Sequence, residues 1–171
     1  DNSERDKLVI LEELRRRVDY VIDQLRQLVH QLRPQFLDRV GLMSSLVSLV
    51  QEILEGTGVS YKVNISGSER RLSSNVELGL FRIAQEALYN IKKHSKATES
   101  EVLLEFGRRK VKLAITDNGN GFKLADRPGL LAYFGRIGLM SMRERAISIN
   151  GIFSVKSDLG KGTKIEVELQ R

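Results

Sequence analysis

The chain has 171 residues, a net charge of +6 and no cysteine. This length supports one packed core with one appended element. The lack of cysteine excludes disulfides and thiolate metal sites. Aromatic residues make up only 6% of the chain, and its positive charges are scattered. The charge therefore does not favour nucleic acid as a partner.

Residues 3–32 are predicted to form one long amphipathic helix. Its apolar residues recur in steps of three and four, which is typical of a helix that packs along another helix. They are Leu8, Leu11, Val18, Ile22, Leu25, Val29 and Leu32. Pro34 disfavours a straight continuation. We therefore predict two parts, residues 1–33 and residues 34–171.

The second part is predicted to alternate between helices and strands. Helices are expected at residues 41–54, 75–94 and 139–149, and strands at residues 59–66, 99–106, 110–116, 152–156 and 163–169. Ser74 and Glu77 have the spacing of a capping box. Residues 118–136 are rich in glycine and are expected to form an irregular lid. The pattern predicts an α/β layer structure.

Asp117 ends one of these strands and points, by the two-residue period, to the same face as the apolar residues before it. A carboxylate on a buried face needs a partner, because an unpaired one is costly. Gly119 and Gly121 allow the backbone to approach a ligand closely. The exocyclic amine of adenine suits such a carboxylate. The alternative is a β-turn that only closes a hairpin.

A row of polar side chains flanks the apolar stripe of the 75–94 helix. Glu86, Asn90 and either Lys93 or His94 share one face at helical spacing. Oxygen ligands suit Mg²⁺, and a lysine suits phosphate, so the row suits a Mg²⁺–triphosphate. Gly138 is expected just before a helix, where free N–H groups favour phosphate. The alternative for the row is a solvated helix flank.

Taken together, these motifs resemble the ATP-binding fold shared by gyrase, the MutL mismatch-repair proteins, the 90-kDa heat-shock chaperone and histidine kinases. This resemblance implies an α/β two-layer sandwich, with a mixed β-sheet covered by helices and preceded by a long helix. Three further strings resemble two-component sensor kinases of the nitrate-sensor and lipid-desaturase-thermosensor type. These strings are Leu32-Arg33-Pro34 with Leu37-Asp38 and Gly41-Leu42, then Gln85-Glu86-Ala87-Leu88-Tyr89-Asn90, and then Gly138-Leu139-Met140-Ser141-Met142-Arg143-Glu144-Arg145.

The resemblance implies roles for the residues on the phosphate side. Asn90 would hold Mg²⁺, and Glu86 would help to order the metal or the incoming histidine. Lys93 and His94 would face the phosphates. Gly138-Leu139 would begin the helix beneath them.

The resemblance also implies an adenine side. Asp117 would accept a hydrogen bond from the adenine amine, and Gly119 and Gly121 would shape the pocket. Gly162-Thr163 would lie beside them, with Thr163 supporting Asp117 through water.

The function implied is transfer of the γ-phosphoryl group of Mg-ATP to a histidine, for relay to a response regulator. His94 belongs to the nucleotide motif, and His30 is followed by Gln31 instead of an acidic residue. We therefore expect an excised catalytic part that does not phosphorylate itself. In a longer protein, residues 1–33 would form a helix that packs against its copy in a homodimer. The present chain would be cytoplasmic. Any membrane attachment would come from a missing upstream region.

Three alternatives remain open at this point. A serine kinase that acts as an anti-sigma factor could have the same fold. A nucleotide-gated clamp could use Glu86 to hydrolyse ATP. A basic nucleic-acid-binding domain is a third alternative, which the scattered charge disfavours.

Overall fold

The computed structural model describes residues 35–68, 70–123 and 130–170. The helix predicted over residues 3–32 and the boundary at Pro34 lie outside these residues. Residues 36–171 form one compact unit. Its elements are α1 (Gln35–Leu54), β1 (Ser60–Gly67), α2 (Ser74–Asn90), a π-turn (Ile91–Ser95), β2 (Glu99–Phe106), β3 (Lys110–Asp117), α3 (Leu130–Ser148), β4 (Gly151–Ser157) and β5 (Thr163–Gln170).

The five strands form one mixed sheet in the order β1-β2-β3-β5-β4. β1 pairs with β2 in parallel, and the other neighbouring strands pair antiparallel. β3, which ends in Asp117, is the central strand. The predicted strands are confirmed, with ends that differ by at most one residue. The predicted fold class, an α/β sandwich with a mixed sheet, is confirmed as well.

The core lies between one face of the sheet and the helices. The inward side chains of β2, β3 and β5 alternate with polar ones, as a half-buried strand requires, and helices α1, α2 and α3 cover them. Its least exposed large side chains are Leu37, Leu46, Ile53, Leu54, Leu80, Ile83, Leu88, Leu104, Leu113 and Met142. The opposite face is polar, and pairs such as Lys112–Glu166 join its neighbouring strands.

The starts of α1 and α2 differ from the sequence-based prediction. α1 begins at Gln35 and is kinked at Gly41, whose φ of 81° and ψ of 174° are not helical. The predicted start at residue 41 therefore marks the kink. The capping box predicted at Ser74 is wrong, because the cap residue is Ser73 and makes no side-chain bond. Glu77 instead accepts a hydrogen bond from the Leu72 N–H at 3.0 Å and pairs with Arg71.

The predicted lid differs most from the structure. Residues 118–136 were expected to be irregular, but α3 begins at Leu130. Gly138 therefore lies inside a helix and not just before one, so its N–H is not a free terminal donor. Leucine and alanine at the start of α3 favour a helix, and one glycine in a helix costs only about 1 kcal/mol. The glycines thus do not end it.

Candidate nucleotide-binding site

The Asp117 carboxylate is almost fully buried at the end of β3, with 7% of the residue exposed. Its Oδ1 accepts a hydrogen bond from the Gly119 N–H at 2.8 Å, a turn typical of aspartate followed two residues later by glycine. The Thr163 N–H also donates to this carboxylate. Burial raises the pKa of Asp117 above its ordinary value, and the two backbone hydrogen bonds oppose this rise. The structure thus holds a carboxylate in place with backbone donors.

The glycines around Asp117 allow one backbone segment to cross another. A Cβ at Gly162 would meet the Asp117 carbonyl oxygen, and a Cβ at Gly119 would meet that of Ser95. A Cβ at Gly121 would meet the carbonyl oxygen of Asp158. The glycines predicted to shape a pocket are therefore the points where the loop after β3 packs on its neighbours.

Ser157 joins the loops beside Asp117 and was missed by the sequence analysis. Its Oγ accepts from the Phe122 N–H at 2.9 Å and donates to the Gly162 carbonyl at 3.0 Å. Because the Ser157 hydroxyl has one proton and donates it to Gly162, the Thr163 hydroxyl is the donor in the 3.0 Å contact between the two side chains. Thr163 therefore supports Asp117 directly through its backbone N–H, while its hydroxyl bonds Ser157.

Asn118 was also missed, although it lies within the motif. Its Oδ1 accepts from the N–H groups of Thr98 and Glu99, both at 3.0 Å, and its Nδ2 donates to the Thr98 hydroxyl. These bonds attach the loop after β3 to the start of β2. An asparagine in Asp-Asn-Gly indicates a turn, but its partners lie about twenty residues away and only the pairing of β2 with β3 brings them there.

The structure brings Glu86, Asn90 and Gly138 together, where α2 packs on α3. A Cβ at Gly138 would meet the Glu86 carboxylate and would lie 3.5 Å from the Asn90 side-chain nitrogen. Only glycine leaves the carboxylate this room. Leu139, the next residue, packs against the core. Glu86, Asn90 and Gly138 are therefore neighbours, with Gly138 inside a helix, and their role on a phosphate side stays a prediction.

Lys93 and His94 are exposed on the π-turn that follows α2. The α-helix predicted to reach residue 94 ends at Asn90, so the three- and four-residue spacing no longer applies beyond it. The Ser95 hydroxyl donates to the Ile91 carbonyl at 2.8 Å, and Lys96 ends the turn in the left-handed region. These contacts favour the wider turn.

Ser95 connects the two halves of the candidate site. Its carbonyl oxygen accepts from the Asn120 N–H at 2.7 Å and packs against Gly119. The turn that contains Lys93 and His94 is thus bonded to the loop that follows Asp117. The π-turn and the loop after β3 are therefore neighbours.

No helix among the described residues is both long and apolar enough to cross a membrane. No group of three or more histidine, cysteine, aspartate or glutamate side chains in these segments could hold a metal ion.

Comparison with known proteins gives the family. Residues 75–171 match the family described as histidine kinase-, DNA gyrase B- and HSP90-like ATPase. The chain is 39% identical over 147 residues to the sensor histidine kinase LiaS of Bacillus subtilis, which covers 86% of this chain and 39% of LiaS. It is 31% identical over 169 residues to the histidine-protein kinase/phosphatase DegS of Brevibacillus brevis, and this match covers 99% of this chain and 42% of DegS.

Solved structures agree on the fold. Acinetobacter baumannii histidine kinase AdeS has a TM-score of 0.62 at 15% identity, over 95% of this chain and 84% of that one. Because the match to the histidine kinase-, DNA gyrase B- and HSP90-like ATPase family covers more than half of the chain, the chain belongs to that family. The predicted resemblance to sensor histidine kinases is confirmed, as is an ATP-binding type of domain. The chain spans about two-fifths of the length of the curated relatives LiaS and DegS.

Proposed function

We propose that this chain is the ATP-binding catalytic part of a sensor histidine kinase, which transfers the γ-phosphoryl group of Mg-ATP to a histidine on a separate segment. The observation that best supports this is the buried Asp117 carboxylate, which is held by two backbone N–H groups, together with the row of Glu86 and Asn90 beside Gly138. Phosphoryl transfer of this kind depends on positioning and charge neutralisation, which such a row can supply.

On the adenine side, Asp117 accepts from the exocyclic amine. The acceptor is preorganised, because Gly119 and Thr163 donate to the same carboxylate and limit its rotation. Gly121 and Gly162 keep the surrounding loops close enough to enclose the ring. Burial strengthens this interaction, since water competes less there.

On the phosphate side, Asn90 provides an amide oxygen for Mg²⁺ and Glu86 helps to order the metal or the incoming histidine. These donors fit the ion, because Mg²⁺ prefers oxygen and keeps several waters and phosphate ligands. When bound, Mg²⁺ would neutralise phosphate charge. Lys93 and His94 add positive or donor groups from the π-turn, and Gly138 leaves space for the Glu86 carboxylate.

The whole protein would act in a two-component system. Its phosphoryl group would pass to the aspartate of a response regulator, and residues 1–33 would form a dimerisation-type helix separate from the catalytic domain at residues 34–171. We place this catalytic part in the cytoplasm. Similarity to named sensor histidine kinases along most of this chain supports these assignments.

Calorimetric titration with Mg-ATP tests the nucleotide site. Asp117→Asn puts a donor opposite the adenine amine and should lose about 2–4 kcal/mol of binding free energy. Asp158→Asn is the matched control, because Asp158 is exposed in the neighbouring turn, and it should bind normally. Asn90→Ala should reduce the Mg²⁺ dependence of binding. Unchanged ATP affinity in a folded Asp117→Asn variant would contradict the site.

Labelling with γ-phosphate tests the reaction. The chain alone should bind ATP without labelling itself. A histidine-bearing helical hairpin fused ahead of residue 1 should become labelled with an acid-labile, base-stable phosphate, because fusion makes the encounter intramolecular. Self-labelling that His30→Ala abolishes would contradict this assignment. Steady ATP hydrolysis that Glu86→Gln abolishes, without a labelled hairpin, would favour the clamp, and labelled serine would favour the serine kinase.

A further inference from the structure

Ser100 is a buried polar residue on the face of the sheet that otherwise forms the core. The inward side of β2 consists of Ser100, Val102, Leu104 and Phe106. Three of these four side chains are apolar, and Ser100 is 6% exposed. It occupies the end of β2 that adjoins the candidate nucleotide site.

Strand register places Ser100 directly opposite Asp117. The two residues are partners in the β2–β3 ladder, and Thr163 is the partner of Asp117 on its other side. Because paired residues project to the same face, the hydroxyl and the carboxylate are neighbours. This juxtaposition joins Ser100 to the proposed adenine side.

The Ser100 hydroxyl has no hydrogen-bond partner among the described residues, although its oxygen is inaccessible to solvent. A buried hydroxyl without a partner is costly, and native proteins leave few of them. The nearby carboxylate is already bonded by Gly119 and Thr163. An unused donor beside an acceptor indicates a ligand group that bonds to both.

Adenine presents such a pair of groups. Its exocyclic amine donates, and N1 and N7, which lie on either side of the amine, accept. A carboxylate next to a hydroxyl complements this edge, since the carboxylate only accepts and the hydroxyl can donate. Valine or alanine at position 100 would provide the same packing without the donor.

We propose that Ser100 is a second base-recognition residue: its hydroxyl, which is closed to solvent in the empty protein, becomes accessible when the base enters beside Asp117 and donates a hydrogen bond, directly or through one water, to the adenine ring nitrogen on one side of the amine. This proposal rests on the proposed function, because it requires ATP to bind at Asp117. It adds to that function a residue that determines which base is accepted.

The test is a double-mutant-type cycle in which the Ser100 hydroxyl and a ring nitrogen of adenine are removed separately and together. Affinity is measured by calorimetry for ATP, 1-deaza-ATP and 7-deaza-ATP, with the parent protein and Ser100→Ala. Ser100→Ala should weaken ATP binding about three- to tenfold, the range of one net hydrogen bond. It should leave the affinity for one of the two deaza analogues unchanged, because that analogue lacks the accepting nitrogen.

Two further variants separate binding from folding. Ser154→Ala removes an exposed serine from β4 and should change neither affinity nor melting temperature. Ser100→Ala should raise the melting temperature of the empty protein, since it removes an unpartnered buried hydroxyl. Ser100→Thr keeps the hydroxyl and should retain discrimination against the same analogue.

Other outcomes would overturn the proposal in distinguishable ways. Equal weakening of ATP and both analogues by Ser100→Ala would mean that the hydroxyl acts only through Asp117. No change with any nucleotide would make Ser100 a structural residue. In both cases a strong loss in Asp117→Asn would leave the proposed function intact, whereas no loss in that variant would contradict the nucleotide site itself.

Discussion

Gly160 and Gly162 lie in the turn between β4 and β5 and share a φ of +74°. Their surroundings differ. A Cβ at Gly160 would meet nothing within 4 Å, whereas one at Gly162 would collide with the Asp117 backbone. Alanine substitutions at these two positions therefore distinguish two losses of stability. At Gly160 only the left-handed backbone is unfavourable, whereas at Gly162 the added methyl group also collides with the Asp117 backbone.

We predict that Gly160→Ala lowers the free energy of unfolding by about 1–2 kcal/mol, the cost of a left-handed alanine. Gly162→Ala should cost a further ~1–3 kcal/mol, because the methyl group displaces backbone. It should also weaken ATP binding, since the Asp117 carbonyl must move. Urea unfolding and calorimetry measure both effects. Equal losses of stability in the two variants would mean that the Asp117 backbone leaves room for a methyl group at position 162.

Asp117 should also give the empty protein a specific pH dependence. Burial raises its folded-state pKa above the ordinary value of 3.8. Between these two pKa values the folded state holds a proton that the unfolded state has released. The contribution of Asp117 to the free energy of unfolding therefore falls as the pH rises from 3.8 through the folded pKa. Urea unfolding of the parent and Asp117→Asn across this range measures the difference.

Asp158 is the matched control, with the opposite sign. A hydrogen bond from Lys161 lowers the pKa of Asp158 below 3.8. Its stabilising contribution is present above 3.8 and is lost as the pH falls through the folded pKa. The parent-minus-variant difference in the free energy of unfolding should thus increase with pH below 3.8 for Asp158→Asn, and should decrease with pH above 3.8 for Asp117→Asn. A difference for Asp117→Asn that also increases with pH would contradict the burial of Asp117.

At the scale of elements, the end of α2 determines where Lys93 and His94 lie. The π-turn ends at Lys96, whose φ of 52° is left-handed. Side chains other than glycine, asparagine and aspartate rarely adopt this conformation. The turn is therefore imposed on Lys96 by its neighbours, among them the bond from Asn120 to Ser95.

We predict that Lys96→Gly raises the free energy of unfolding by roughly 0.5–1 kcal/mol, because glycine adopts this backbone without strain and loses part of the gain to its greater unfolded entropy. Asn150→Gly is the control at a φ of 57° and should change stability less, since asparagine tolerates the conformation. Urea unfolding measures the free energy of unfolding of both variants and of the parent. A destabilised Lys96→Gly would show that the lysine side chain contributes more than its backbone strain costs.

At the scale of the molecule, the central strand β3 connects the core to the candidate site. Leu113 lies on β3 four residues before Asp117 and is fully buried. Loss of its side chain would leave a cavity in the middle of the core, and the surroundings relax only partly around such cavities. The stability of the fold and the position of Asp117 are thus linked through one strand.

Leu113→Ala should lower the free energy of unfolding by about 2–5 kcal/mol. Leu159→Ala removes the same atoms from a side chain that is 59% exposed, and its effect should stay within about 0.5 kcal/mol. Thermal or urea unfolding measures both. Similar losses in the two variants would be inconsistent with a core centred on β3.

The sequence by itself determined the strands, the inward direction of Asp117 and the spacing of Glu86 and Asn90. These features depend on local periodicity, since apolar alternation defines a strand and a four-residue step defines one helix face. The resemblance of the motifs then gave the family. Residues 1–33 and their role stay predictions.

Only the tertiary structure decided the helix ends and the neighbours within the site. The π-turn forms where Ser95 is bonded by the loop after β3, and α3 extends through Gly138, which fits against Glu86 on another helix. Ser100 became a neighbour of Asp117 through the β2–β3 register. These contacts join residues far apart in the chain, and local patterns contain no information about which distant backbone will approach.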